Sequence, residues 1–172
     1  MEHWCKVEPA GIRSQLLDLT QALPKARIGV IGDIAADIYV SGQTDRVSRE
    51  APVIVVRYEQ QWVRAGCAAN VACNVAALGA KVYLASLIGQ DEPGRDLLEG
   101  MHKARVDTSG VLALPDYRTS CKTRFLAGAR GTSRQQVLRL DRITAGCPSK
   151  GARALLVERL EQLTDEVDVW IA

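Results

Sequence analysis

The chain has 172 residues, 47% of them hydrophobic and 24% charged, with a net charge of +2. These values suit a globular protein with a core of its own and give no basis for nucleic acid or an anionic membrane as a partner. No apolar run approaches the roughly 18–20 residues of a transmembrane helix, and the N-terminus "MEHWCKVEPAG" is neither basic nor followed by an apolar stretch, so the expected compartment is the cytoplasm.

In chain order, "GIRSQLLDLTQAL" places Ile12, Leu16, Leu19 and Leu23 at helical spacing, and Pro24 follows as a stop. "ARIGVIGD" reads as a buried strand closed by Gly32 and Asp33. "DIYVSG" and "APVIVVRYE" read as two further strands separated by a polar turn. "RAGCAANVACNVAALGA", Arg64 to Ala80, reads as a helix of unusually small residues ending at Gly79, a good residue for a helix end. "AKVYLASLIG" is another buried strand. "DEPGRDLLEGMHKARV" is a helix with Asp91 near its start and Leu97, Leu98 and Met101 on its apolar side. "SGVLALP" is a short strand.

The texture then changes. "SCKTRFLA", the polar turn "GARGTSR" and "QQVLRLD" predict a hairpin. "SKGARALLVERLEQLTDE" predicts an amphipathic helix with Leu155, Leu156, Leu160 and Leu163 inward. "VDVWIA" reads as an apolar strand placed centrally in a sheet, and the sequence looks cut there. Alternating strands and helices imply a parallel, doubly wound α/β sheet. The paired strands at 37–58 and 121–140 break the alternation and are expected to form a separate β-layer.

Candidate chemistry lies in few places. The cysteines, Cys5, Cys67, Cys73, Cys121 and Cys147, are odd in number and scattered, with no C-x-x-C. They are read as reduced, mostly buried small residues, and neither a disulfide framework nor a zinc site is expected. His3 and His102 have no ligand partner at suitable spacing. Asp33 ends the first strand and Asp37 follows four residues on; carboxylates at the carboxyl end of a parallel strand sit at the ligand crevice, but equally serve turns and caps. In the small-residue helix, Gly66 and its neighbours would let a ligand reach free N-terminal amides, with Asn70 as donor and acceptor. Alternatively the helix simply lies tight on a sheet, with Asn70 and Asn74 tolerated. Lys122 and Arg124 share one strand face, as do Arg139 and Asp141; taken alone, these charges fit a solvated face.

In order, "VIGDIAAD", "SREAPVIVV", "AGCAANVACNVAALGAKVYLASLIGQDEPGRDLL", "CKTRFLA" and "RQQVLRLDR" resemble the ribokinase-like (PfkB) sugar kinases, from about Arg27 to the C-terminus. The S-x-E-A-P-V and Q-Q-x-L-R-L-D segments resemble the branch that phosphorylates D-glycero-β-D-manno-heptose 7-phosphate within bifunctional ADP-heptose synthases. The resemblance implies a single ribokinase-like domain over residues 1–172, incomplete on its C-terminal side, with a β-lid. It implies ATP and Mg²⁺, transfer of the γ-phosphate to the anomeric hydroxyl, and heptose 1,7-bisphosphate for ADP-heptose and lipopolysaccharide core synthesis. It places Asn70 and Asp37 on the sugar hydroxyls. It makes the lid, with Arg139 and Asp141, a cover over the substrate and a homodimer contact, and offers Lys122 and Arg124 for the 7-phosphate.

Two departures stand out. The family shows Pro-Gly-Gly before Ala-Ala-Asn, where this chain has Ala65, Gly66 and Cys67. Family kinases also run to roughly 300 residues, with a catalytic Asp in a Gly-Ala-Gly-Asp motif opening a later helix. That motif is not among these residues. No catalytic residue is therefore assigned, the ATP and Mg²⁺ site is expected mostly outside this chain, and the chain alone is expected to be inactive. The expected partners are a sugar phosphate and either a second copy or the remaining half of such a kinase. The alternatives are a non-catalytic sugar-phosphate-binding or dimerising remnant, and a half-kinase for another sugar.

Overall fold

The computed structural model describes residues 9–144 and 148–172. Helix α1 (Pro9–Ala22) leads through a 3₁₀ turn (Leu23–Lys25) into strand β1 (Arg27–Ile31). There follow β2 (Ile34–Val47), β3 (Ile54–Cys67), α2 (Ala68–Ala77), β4 (Lys81–Gly89), α3 (Glu92–Lys103) and β5 (Val106–Leu114). The chain continues through β6 (Ser120–Gly128), β7 (Gln135–Arg142), α4 (Lys150–Thr164) and β8 (Val169–Ile171). The strands form two sheets: a parallel one in the order β5-β4-β1-β8, and a second in the order β3-β2-β6-β7.

The parallel sheet carries the core. β4 is buried from Val82 through Gly89, as expected for a strand covered on both faces. Ile28, Val30, Val82 and Leu84 meet Ala69 and Ala72 of α2 and Leu97 and Met101 of α3. Residues of opposite parity face the other way. There Gly110, paired with Ala85, lies against Leu163 of α4. Helices thus cover both faces, the doubly wound arrangement that the alternation predicts. Gly29, on the same small-residue face, lies under the indole of its register partner Trp170, where a Cβ would meet the ring at 2.4 Å. β8 takes the edge position beside β1 in this chain, with Val169 and Ile171 exposed.

Several boundaries differ from expectation. The helix predicted from Arg64 starts only at Ala68, because Arg64 to Cys67 continue β3 opposite Ile34 to Asp37. α4 turns Ala152, Leu156, Leu160 and Leu163 inward; Leu155 falls off that stripe and is exposed. Leu16 and Leu19 of α1 are exposed too.

The second sheet is the expected separate layer, though longer than predicted, drawing on residues 34–67 and 120–142. β2 pairs antiparallel with β3, and β6 antiparallel with β7, but the two hairpins join through a parallel β2–β6 pair. A carboxylate ties the layers together. Asp91 caps α3 through Gly94 N (3.2 Å), accepts from Thr119 Oγ1 (2.6 Å) and Thr119 N (3.1 Å), and lies 3.5 Å from Arg142 of β7. Thr119 Oγ1 in turn accepts from Gly89 N at the end of β4. Burial pushes the Asp91 carboxyl up, but the bonds from Thr119 and Gly94 and the Arg142 charge outweigh it and hold it below the usual range. No helix of the described residues is long and apolar enough to cross a membrane.

Candidate functional site

A cleft of about 410 Å³ opens where the carboxyl ends of β1 and β4 meet the lid sheet. In open parallel sheets this is the end at which ligands bind. Gly32 and Asp33 from the end of β1, and Ser86 from β4, line one side. Cys67, Ser120 and Lys122 line the lid side, with Tyr117, Thr144 and Leu156 closing the remainder. Ser86 donates to the Gly32 carbonyl (2.6 Å), which ties β1 to β4 at the cleft floor. Burial, then the charge of Asp33, pushes the Tyr117 phenol up, so it stays protonated as a donor. Lys122 Nζ lies 3.5 Å from Cys67 Sγ.

Of the residues singled out from sequence, Asp33 and Lys122 line this cleft together. Asp37 and Arg124 stand beside it on the lid, where Arg124 Nη1 lies 2.8 Å from Asp37 Oδ1 with both side chains about one-fifth exposed. That distance makes an ion pair, yet no N–H points at Oδ1 with hydrogen-bond geometry, and the oxygen is shut off from solvent. A buried acceptor without a donor is uncommon. The close contact with the Asp37 carboxylate outweighs the cost of burial and raises the Arg124 pKa further, so the guanidinium is permanently charged.

Gly66 does not expose helix amides as its sequence position suggested. It belongs to β3, and a Cβ there would lie 2.9 Å from the Ala35 carbonyl and 3.1 Å from the Asp37 carboxyl carbon. Its bareness makes room for Asp37. The first amide of α2 is likewise occupied, with Ala68 N donating to the Asp33 carbonyl at 3.0 Å. Asn70 sits on the first turn of α2. It is exposed, as is Asn74, so neither carries the cost of a buried amide. Arg139 and Asp141 bond to each other twice, at 2.9 Å. They follow Arg124 and Lys122, respectively, in the lid rows and do not line the cleft.

The residue expected to be glycine has a glycine's backbone. Cys67 caps α2 at φ 54°, ψ −133°, a conformation that side chains disfavour. It is exposed, against the expectation of buried cysteines, whereas Cys121 is buried and Cys73 half-buried. Cys5 and Cys147 lie outside the described residues, as does His3. Sequence reasoning missed Tyr117, Ser120 and Thr144, which lie in loops or at a strand start and carry no periodic signal. Ser86 had one: it is the hydroxyl in the apolar run "YLASLIG".

Among the described residues no three His, Cys, Asp or Glu side chains converge to hold a metal ion.

The bifunctional protein HldE of Trichlorobacter lovleyi is 38% identical over 157 residues, covering 91% of this chain and 31% of that protein. The HldE of Vibrio cholerae serotype O1 is 46% identical over 117 residues, 68% of this chain and 23% of its own. The chain thus spans about a third or less of the relatives it matches. A putative sugar kinase from Clostridium perfringens superposes with a TM-score of 0.59 at 15% identity, covering 86% of this chain and 43% of that one. Arabidopsis thaliana ribokinase complexed with ribose and ATP gives 0.52 at 17% identity, over 76% and 42%. At such identities the likeness carries the fold, a ribokinase-like α/β architecture with a β-lid. Residues 25–135 match the model of the pfkB family carbohydrate kinases, and on that match the chain belongs to this family.

Proposed function

We propose that this chain supplies the acceptor side of an ATP-dependent kinase for heptose 7-phosphate, which phosphorylates the anomeric hydroxyl to give heptose 1,7-bisphosphate. The observation that carries the reading is the Asp37 carboxylate, about one-fifth exposed and paired with Arg124, beside Lys122 at the cleft edge. A sugar hydroxyl would donate to the exposed part of that carboxylate, while the cations at the cleft edge suit a phosphate. Asp33 and the protonated Tyr117 offer an acceptor and a donor across the cleft. Asn70 is the remaining hydroxyl contact in this reading, and Arg139 with Asp141 forms the outer part of the lid. ATP, with magnesium, supplies the transferred phosphoryl group. Positioning and charge dominate such chemistry, and here the chain's own residues bind and orient the acceptor. The likeness to the HldE proteins supports the heptose branch over other sugars.

Titration calorimetry with heptose 7-phosphate, ribose 5-phosphate and fructose 6-phosphate tests the reading. The heptose phosphate should bind best, and Asp37→Asn should weaken it by about 10-fold or more, the loss of one charge-assisted hydrogen bond. Equal binding of all three, or an unaffected Asp37→Asn, would sink it.

A further inference from the structure

Tyr39, two residues beyond Asp37 on β2, and its register partner Trp62 on β3 have no role assigned so far. Register across the lid places Trp62, Tyr39, Arg124 and Arg139 in one row and Arg64, Asp37, Lys122 and Asp141 in the next. Row partners, and residues two apart on a strand, share a sheet face. All eight side chains therefore rise on the face that carries Asp37. Within the first row the rings of Tyr39 and Trp62 stack, with centroids 5.3 Å apart and planes 3° from parallel. That is a favourable offset-stack separation. On the far side of Tyr39 the guanidinium of Arg124 lies 5.3 Å from the ring centroid, within cation–π range. From there Arg124 reaches diagonally into the second row, to Asp37 at 2.8 Å.

We infer that Tyr39 and Trp62 form a stacked platform that positions Arg124, and through it the carboxylate of Asp37, for the acceptor; this rests on the reading of the site given above. Arg124 needs such help. Lys122 stands two residues away on its strand and Arg139 beside it in the row, both of like charge. Arg139 is turned aside by its two bonds to Asp141. What then holds Arg124 over β2 is the Tyr39 face, the Asp37 carboxylate and a long bond to the Lys122 carbonyl (3.4 Å). A free arginine side chain samples many rotamers, and a ring under its planar head removes most of them. Trp62 extends the platform toward the body, since it lines a shallow cavity with Asp96, Glu99 and Gly100 of α3. The Tyr39 hydroxyl has no hydrogen bond among the described residues, so the ring face, not the phenol, is the working part. Tyr39 and Trp62 are positioning residues on this account, not catalytic ones.

The full chain and its Tyr39→Leu, Tyr39→Phe, Trp62→Leu and Arg124→Leu variants decide it, with heptose 7-phosphate as calorimetric probe and ¹⁵N-edited spectra reporting the Arg124 Nε–H group. Tyr39→Leu should weaken binding about 5–10-fold and Tyr39→Phe less than about twofold, the span expected of a cation–π contact. On the Arg124→Leu background, Tyr39→Leu should cost nothing more, because the ring acts through the arginine. The Arg124 Nε–H resonance should move downfield in Tyr39→Leu as it leaves the ring current, and should stay put in Tyr39→Phe. Should Tyr39→Leu not fold, Trp62→Leu takes its place and should move the same resonance by a smaller amount. Fully additive losses, or equal losses for the Leu and Phe variants, overturn the platform. If the unaltered chain binds no heptose 7-phosphate, the acceptor reading fails, and the resonance alone decides the platform: unmoved in the Leu variants, it is wrong.

Discussion

The ammonium of Lys122 and the sulfur of Cys67 stand 3.5 Å apart across the lid edge of the cleft, and the sulfur is there only because Cys67 tolerates a backbone suited to glycine. A non-glycine residue in such a region costs of order 1–3 kcal/mol. Cys67→Gly should therefore stabilise the chain by about 1 kcal/mol, after the extra unfolded-state freedom of glycine is deducted. It should also leave Lys122 without its neighbour. Urea unfolding of Cys67→Gly and Cys67→Val checks this, with the β-branched valine less stable than the parent. A glycine variant no more stable than the parent would disprove the strain.

Gly66→Ala should act on Asp37 directly. The added methyl would crowd the Ala35 carbonyl at 2.9 Å and the Asp37 carboxyl group at 3.1–3.2 Å, so the carboxylate must turn away from Arg124. A destabilisation of about 1–3 kcal/mol is expected from such overpacking, together with loss of the Asp37–Arg124 pair. Thermal unfolding reads the first effect and the Arg124 Nε–H resonance the second.

Asp91 gives the fold an acid limit. Its carboxyl is held below the unfolded-state value of about 3.9, so its contribution is complete above that value and is lost as pH falls through the lower folded-state value. Asp91→Asn should flatten the acid side of the stability profile. At neutral pH it should cost about 1 kcal/mol, because asparagine keeps the α3 cap but loses the charge-assisted bonds from Thr119 and the pairing with Arg142. Chemical denaturation from pH 3 to 7 measures both.

Gly29→Ala tests the seat of β8. A methyl at 2.4 Å from the indole cannot be accommodated, so Trp170 should swing out and β8 should lose its pairing with β1. Emission of the variant should shift to the red relative to the parent, and a Trp170→Phe background should abolish the difference.

Phosphoryl transfer is the last expectation. Without a Gly-Ala-Gly-Asp segment in its 172 residues, the chain should show no ATP turnover that depends on heptose 7-phosphate. Absence of a general base typically costs about 10²–10⁴-fold. Turnover above a protein-free blank would contradict this.

Much of the fold was legible because its signals are periodic. The unbroken apolar run of β4, the Asp91 cap and the Leu97–Met101 stripe each state their own environment. Leu155 was misread because four leucines offer two overlapping stripes, and only packing chooses between them. The start of α2 was misread because small residues serve a strand as readily as a helix, and "RAGC" finishes β3. The candidate site was legible in part. Asp37, Lys122 and Arg124 carry charge within strands and Asp33 just beyond the end of β1, whereas the Tyr39–Trp62 stack arises from register between strands, which no single segment encodes. Gly66 was noticed for the right bareness but the wrong neighbour.

The parallel join between β2 and β6 has a kinetic consequence. β2 and β3 are a local hairpin and can pair early, but β6 reaches β2 only after the chain has passed through α2, β4, α3 and β5. Non-local pairings of this kind close slowly, because loop entropy is lost before they return anything. The contact between Arg124 and Asp37 spans that seam. In pulse-labelled exchange, amides of the β2–β3 hairpin should gain protection before those of β6, so the Asp37 carboxylate is among the last groups to find its own partner.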